Sequence, residues 1–318
     1  MLILRFVVSM LSIGAVALGA GMVSGQDFPS KPIRLLASAG GGPDFEARLI
    51  AQGISGTLGQ HVIVDNRPVM FTIETVMKAP PDGYNLVVVS NPFFVAPLLQ
   101  QMRHDPVNDF APVTMVSREQ NLLVVHPSLP VKSVKEIIAL AKARPGELNY
   151  GSGSTGSSTH LAGELFKFMA GVNIVRIPYK GGGQAVVDLL GGHVLLMFAT
   201  SPSVAPHVKS GKLKALAVTG TQRSVLLPDL PTVAASGLPA YELLGLDGVY
   251  APAKTPAPVI NRLNQEIVRY LRTAEAKQKF LAGGIEIAVS TPEELTAAIK
   301  SDMAKISKLI KSAGIKAD

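Results

Sequence analysis

The stretch Asn149-Tyr150-Gly151-Ser152-Gly153-Ser154-Thr155-Gly156-Ser157-Ser158-Thr159-His160 has the residue types and spacing best suited to chemistry. It follows a short strand-like segment and leads into 161–170, which reads as a helix. A glycine- and hydroxyl-rich turn at a helix start exposes backbone N–H groups that have no intrahelical partner. The helix dipole adds partial positive charge at the same place. Such a turn is a seat for a carboxylate or phosphate, with Ser154, Thr155, Gly156 and Thr159 as its candidate residues. A second turn of this kind runs Pro178-Tyr179-Lys180-Gly181-Gly182-Gly183-Gln184. Two readings of it stay open, a second anion seat at Lys180 and Gly181 or a flexible loop. Tyr179 either lines a cleft or packs under the turn.

Other chemistries fit these residues less well. Gly151 to Gly156 matches G-x-G-x-x-G, but the next strand ends in Ile177-Pro178-Tyr179-Lys180, without the acid a dinucleotide ribose needs. The same glycine spacing suits a phosphate loop, yet Ser157 stands where its lysine belongs. No H-E-x-x-H occurs, no serine sits in G-x-S-x-G, and the six histidines are scattered. His160 reads as a residue that caps or packs its own helix, and Asp44 as a helix-capping acid. Arg67 either pairs with Asp65 or reaches a ligand. An exported hydrolase or dinucleotide enzyme using residues 151–160 is the alternative function. No cofactor or metal is expected, and the chain lacks cysteine, which excludes disulfides and thiolate metal sites.

The elements that position these turns follow in chain order. Residues 1–25 resemble a secretory signal: Arg5 is the only charge before Asp27, and an apolar run from Phe6 to Leu18 gives way to small residues. Cleavage is expected after Ala20 or Gly25, and the location is the periplasm. The rest is long enough for two lobes of about 150 residues each. The net charge of +7 suits an anionic ligand. The lysines are dispersed rather than interleaved with aromatics, so no nucleic acid partner is expected.

Strands are predicted at 32–36, 62–64 and 86–89, with helices between them. Gly40-Gly41-Gly42-Pro43-Asp44 turns the first strand into a helix that ends near Leu58. Further strands are predicted at 122–125, 174–177, 195–198 and 213–219. Ser133 with Glu136 is a capping box. Thr291-Pro292-Glu293-Glu294 opens a C-terminal helix with proline at its first position. The alternation argues for an α/β fold with a mostly parallel sheet in each lobe and two inter-lobe crossings. Lobe 1 takes 26–121, lobe 2 takes 122–245, and 246–318 returns to lobe 1.

The chain resembles the substrate-binding receptors of tripartite tricarboxylate transporters, the Bug family. The resemblance runs from about Phe28 to the C-terminus. It is carried by Phe28-Pro29-Ser30-Lys31-Pro32-Ile33, Asp65-Asn66-Arg67-Pro68, Pro81-Asp82-Gly83-Tyr84 and Asp105-Pro106-Val107-Asn108-Asp109-Phe110. His160-Leu161-Ala162-Gly163-Glu164, Leu230-Pro231-Thr232-Val233 and Ala251-Pro252 followed by Thr255-Pro256 add to it. It implies a periplasmic binding protein that closes like a flytrap on a small carboxylate. It also implies delivery to membrane subunits of a transporter or to a sensor. Carried over, lobe 1 would offer Ser38, Ala39, Gly40, Gly41 and Gly42 and the turn after Arg67. Lobe 2 would offer the two turns already described, through backbone N–H groups and hydroxyls rather than a cationic side chain.

Departures fall in lobe 1. The family's proline-rich turn with an aromatic is here Ala37-Ser38-Ala39, and its glycine-rich loop after Asn-Arg-Pro is Val69-Met70-Phe71-Thr72. An acid usual near the strand end at 195–198 is replaced by Ala199. These changes point to a monocarboxylate with an apolar body, its carboxylate on lobe 2.

Overall fold

The computed structural model describes residues 28–38, 42–225 and 227–316. The signal-like segment, Ala39, Gly40 and Gly41 lie outside the described residues. The first half builds β1 (Ile33–Ala37), α1 (Gly42–Leu58), β2 (Val62–Asn66), α2 (Val69–Met77), β3 (Asn85–Val89), α3 (Pro92–Leu99) and β4 (Phe110–Val125). Then follow α4 (Val134–Ala143), β5 (Asn149–Ser152), α5 (Ser158–Ala170), β6 (Val175–Pro178), α6 (Gly182–Leu190), β7 (Leu196–Thr200), α7 (Ser201–Lys209) and β8 (Lys214–Val218). The chain closes with β9 (Leu244–Pro252), α8 (Ala257–Leu271), α9 (Ala274–Ala282) and α10 (Pro292–Ala313).

The strands form one mixed sheet in the order β2-β1-β3-β9-β4-β7-β5-β6, with β8 also paired to β4. The parallel pairings expected from the strand–helix alternation hold on both flanks, β2-β1-β3 and β7-β5-β6. The centre is antiparallel, because β4 runs against β9 through residues 110–120 and against β7 and β8 through 121–125. Thus β4 is a single long strand that joins the two flanks, and Gln120 pairs with Leu244 where β9 begins. Only its last quarter, residues 122–125, was predicted from sequence. The earlier part includes Arg118, Glu119 and Gln120, which break the apolar run a buried strand shows.

Three apolar clusters hold the sheet. One packs β1, β3 and β9 against α1, α8 and α9. A smaller one packs β4, β7 and β8 against α6 and α7. The largest crosses between the flanks and includes Phe93, Phe166, Tyr150, Tyr250 and Ile299. α10 lies across both flanks, tied by a two-pronged pair from Arg118 to Asp302 at 2.7 and 3.0 Å. Its start is the capping box expected from sequence: Thr291 Oγ1 accepts from the Glu294 amide at 3.2 Å, and Glu294 accepts from the Thr291 amide at 2.8 Å. Thr291→Ala is expected to cost about 1 kcal/mol of stability, read from the midpoint of urea unfolding.

Candidate functional site

The glycine-rich turn joins the end of β5 to the start of α5 and is built by its own side chains. Ser157 caps the helix by accepting from the His160 amide at 3.3 Å. Thr159 Oγ1 accepts from the Gly153 amide at 2.9 Å, and His160 Nδ1 accepts from the Gly156 amide at 3.1 Å. His160 thus braces the turn, as a capping residue should. These bonds also correct one expectation. The Gly156 amide is engaged inside the turn, so Gly156 contributes shape rather than a donor to a ligand. Its φ of 83° is in the left-handed region, where glycine alone is unstrained. The Ser158 and Thr159 amides of the first helical turn have no bond to any described residue, as the first amides of a helix do not.

The second turn meets the first. A Cβ on Gly153 would lie 3.3 Å from Ser157 Oγ, 3.4 Å from Thr159 Oγ1 and 3.5 Å from the Gly182 amide nitrogen. The N-termini of α5 and α6 therefore converge on Gly153, and their dipoles add there. Gly181 is the N-cap of α6 with extended backbone, and Lys180 is exposed beside it. Tyr179 packs under the turn. Its hydroxyl donates to Asp188 at 2.6 Å, and burial together with that bond pushes it up to about 12.

Two residues that the sequence did not single out complete this side. Arg176 on β6 pairs in register with Tyr150. Its guanidinium donates to Ser152 Oγ at 2.8 Å, the Gly153 carbonyl at 3.3 Å and Thr155 Oγ1 at 3.1 Å. A cation thus stands behind the turn. Asn121, fully buried on β4, accepts weakly from Ser158 Oγ at 3.5 Å and keeps an unpartnered Nδ2. An arginine within a short strand beside the Gly/Ser strand was the available signal for the first. Asn121 carried none.

Facing this turn is α3. A Cβ on Gly156 would lie 3.0 Å from Val95 Cγ1 and 3.8 Å from the Ala96 nitrogen. The same helix, through Pro92 and Phe93, lines a small pocket with Ser38, Pro43, Val69, Thr72, Val88, Val89 and Ser90. Ser38 is therefore at the pocket. Val69-Met70-Phe71-Thr72, read from sequence as a loop, is instead the first turn of α2, with Phe71 55% exposed. Arg67 is held by Asp65 at 3.0 Å and lies 5.9 Å over the Phe71 ring. Bonds from Arg34 first, and then from Arg67, keep Asp65 below the usual carboxylate range. The pair with Asp65, the first of the two readings of Arg67, is present. Gly42 opens α1 beside Asp247 and Glu119.

A mixed sheet wound from two α/β flanks, with helix N-termini meeting where the flanks face each other, defines a two-lobed solute-binding protein. The model of the family described as "Tripartite tricarboxylate transporter family receptor" matches residues 46–315, and the chain belongs to that family. It is 34% identical to Protein BugT of Bordetella pertussis over 305 residues, 93% of this chain and 94% of the relative. Among solved structures it is similar to R. palustris Rpa4515 with adipate, at 35% identity and a TM-score of 0.86, over 92% of this chain and all of the other. It is also similar to MatC from Rhodopseudomonas palustris with bound malate, at 26% identity and a TM-score of 0.80, over 89% of this chain and all of the other. Receptors of this family are periplasmic. Among the described residues no helix is long and apolar enough to cross a membrane.

Proposed function

We propose that this receptor binds a small organic acid with an apolar body and releases it, chemically unchanged, to a membrane transporter or a sensor. The observation that carries the reading is the convergence of the α5 and α6 N-termini on Gly153, with the Arg176 guanidinium behind. A carboxylate seated there would meet the Ser158 and Thr159 amides, the hydroxyls of Ser154 and Thr155, and Asn121 Nδ2. Hydrogen bonds to a charged group contribute roughly 1.5–3 kcal/mol each. About four would supply the ~8 kcal/mol of a micromolar complex before the costs of closure. The ligand's body would then extend past α3 to Val69, Val88, Val89 and Phe93. The relatives solved with adipate and malate support a carboxylate as the recognised group.

Export by the N-terminal segment, a division into 26–121, 122–245 and 246–318, and a non-catalytic role belong to the same proposal. The bond from the Gly156 amide to His160 Nδ1 supports that role, because it keeps the turn's histidine from acting as a base. A thermal-shift panel of adipate, malate, benzoate, nicotinate, citrate and glutamate tests the reading. Binding to the folded state alone raises Tm in proportion to ln(1+[L]/Kd). Adipate, benzoate or nicotinate is expected to give the largest rise, confirmed by calorimetry. Tight citrate or glutamate binding with no response to those three would refute the apolar body. Turnover of any acid in the panel would refute the receptor.

A further inference from the structure

Next to the α5 N-terminus, where a Cβ on Gly245 would lie 3.7 Å from Ser158 Cβ, the chain assembles a second group of polar residues that the proposed carboxylate contacts do not include. In the antiparallel pairing of β4 with β9, Ser117 stands opposite Asp247 and Glu119 opposite Gly245. Residues two apart on a strand share a face, so Ser117, Glu119 and Asp247 project together. The α1 helix lies over that face and adds Glu46. One carboxylate oxygen from each of Glu46, Glu119 and Asp247 lies within 4.8 Å of the other two.

We propose that Glu46, Glu119 and Asp247 form a binding site for a hard divalent cation of the calcium type. Four observations carry it. First, the three acids come from three separate elements, and their oxygens are spaced as oxygens around a single ion would be. Metal–oxygen distances of about 2.3–2.6 Å place neighbouring ligands roughly 3–5 Å apart. Second, Glu46 is fully buried and Asp247 nearly so, while both Glu46 oxygens and Glu119 Oε1 have no hydrogen-bond partner. Among the described residues no lysine, arginine or histidine pairs with any of the three. A buried carboxylate left in that state is costly, and its remedies are a proton, a counter-charge or a metal. Third, the Ser117 hydroxyl is fully buried and faces the Glu46 carboxylate, with no partner outside the cluster, offering a further oxygen. Fourth, the α1 helix opens on Gly42, where a Cβ would lie 3.1 Å from Asp247 Oδ2 and 3.7 Å from Glu119 Oε1. That helix end brings only about half a positive charge against three acids.

The electrostatics agree with the geometry. Burial first, and then Asp247 and Glu286, push Glu119 up to about 8; burial pushes Asp247 up to about 7. Burial, with Asp247 and Glu119 beside it, raises Glu46 well above the carboxylate range. All-oxygen ligation by carboxylates and a hydroxyl suits calcium, magnesium or manganese rather than zinc or copper. The site would fasten the start of α1 to the two central strands, next to the place where β4 passes from β9 to β7.

The test needs no organic acid, so its outcome is separate from that of the carboxylate reading. Chelator-stripped full-length mature protein is titrated with calcium chloride at pH 7.5 by calorimetry and thermal unfolding, then with magnesium and manganese chlorides. A saturable rise in Tm of roughly 5 °C is expected with at least one ion. Glu119→Gln and Asp247→Asn keep the side-chain volume and should unfold cooperatively. Each should lose the rise, whereas Asp229→Asn on the surface should keep it. No saturable rise in the unmodified protein, or an equal rise in Glu119→Gln, would overturn the site. The three acids would then be held by shared protons.

Discussion

Gly156→Val is expected to weaken binding of the strongest acid in the thermal-shift panel about 100-fold while the protein still folds. Two effects combine. At a φ of 83° a residue with a Cβ is strained by roughly 1–2 kcal/mol, more when β-branched. The new side chain would also start 3.0 Å from Val95 Cγ1 and point at α3, which opposes approach of the turn to that helix. A loss near 2.7 kcal/mol corresponds to a factor of 100 in Kd. Gly171→Ala is the control. Gly171 has a φ of 59° at the other end of α5 but nothing within 4 Å of its Cβ position. It should lose stability and keep affinity. If both variants bind alike in calorimetry, the turn does not shape the seat.

The second large effect is on stability. Gly163→Ala is expected to destabilise the protein by about 3 kcal/mol, near the upper end of what overpacking costs. A Cβ at Gly163 would lie 2.2 Å from Tyr150 Cε2 and 2.8 Å from its hydroxyl oxygen. Tyr150 cannot swing aside. It is fully buried, and its hydroxyl donates to Glu164 Oε1 at 2.6 Å, which Lys167 also holds at 2.9 Å. The α5 helix would have to move away from β5, and these two elements carry the Gly/Ser turn between them. Chemical denaturation should show the loss at constant m-value. A loss below about 1 kcal/mol would mean that the helix and strand slide without cost.

The local elements were legible where local physics decides them. Serine and threonine caps, the strand–helix alternation on both flanks, and glycine turns at helix starts are written in neighbouring residues. So is the bracing role of His160, since its partners lie within four positions. The first turn of α2 was missed because Val69-Met70-Phe71-Thr72 has no cap of its own: Pro68 precedes it without a side-chain bond. Pro97 within α3 and Pro206 within α7 hid those helices in the same way. Tertiary contact overrides propensity in such segments.

What the sequence determined by itself is the pair of glycine-rich turns at helix starts, because unpaired helix amides follow from composition and spacing alone. It also determined that no H-E-x-x-H or G-x-S-x-G motif and no thiolate is present. Only the tertiary structure decided that the two turns meet at Gly153, that Arg176 stands behind them, and that Asn121 turns an unpartnered amide toward α5. It likewise decided that Glu46, Glu119 and Asp247, some 70 to 200 positions apart in the chain, share one buried face. The reason is the pairing register of the sheet. A shift of one residue between β4 and β9 would send Ser117, Glu119 and Asp247 to opposite sides, and nothing in the local residues fixes that register.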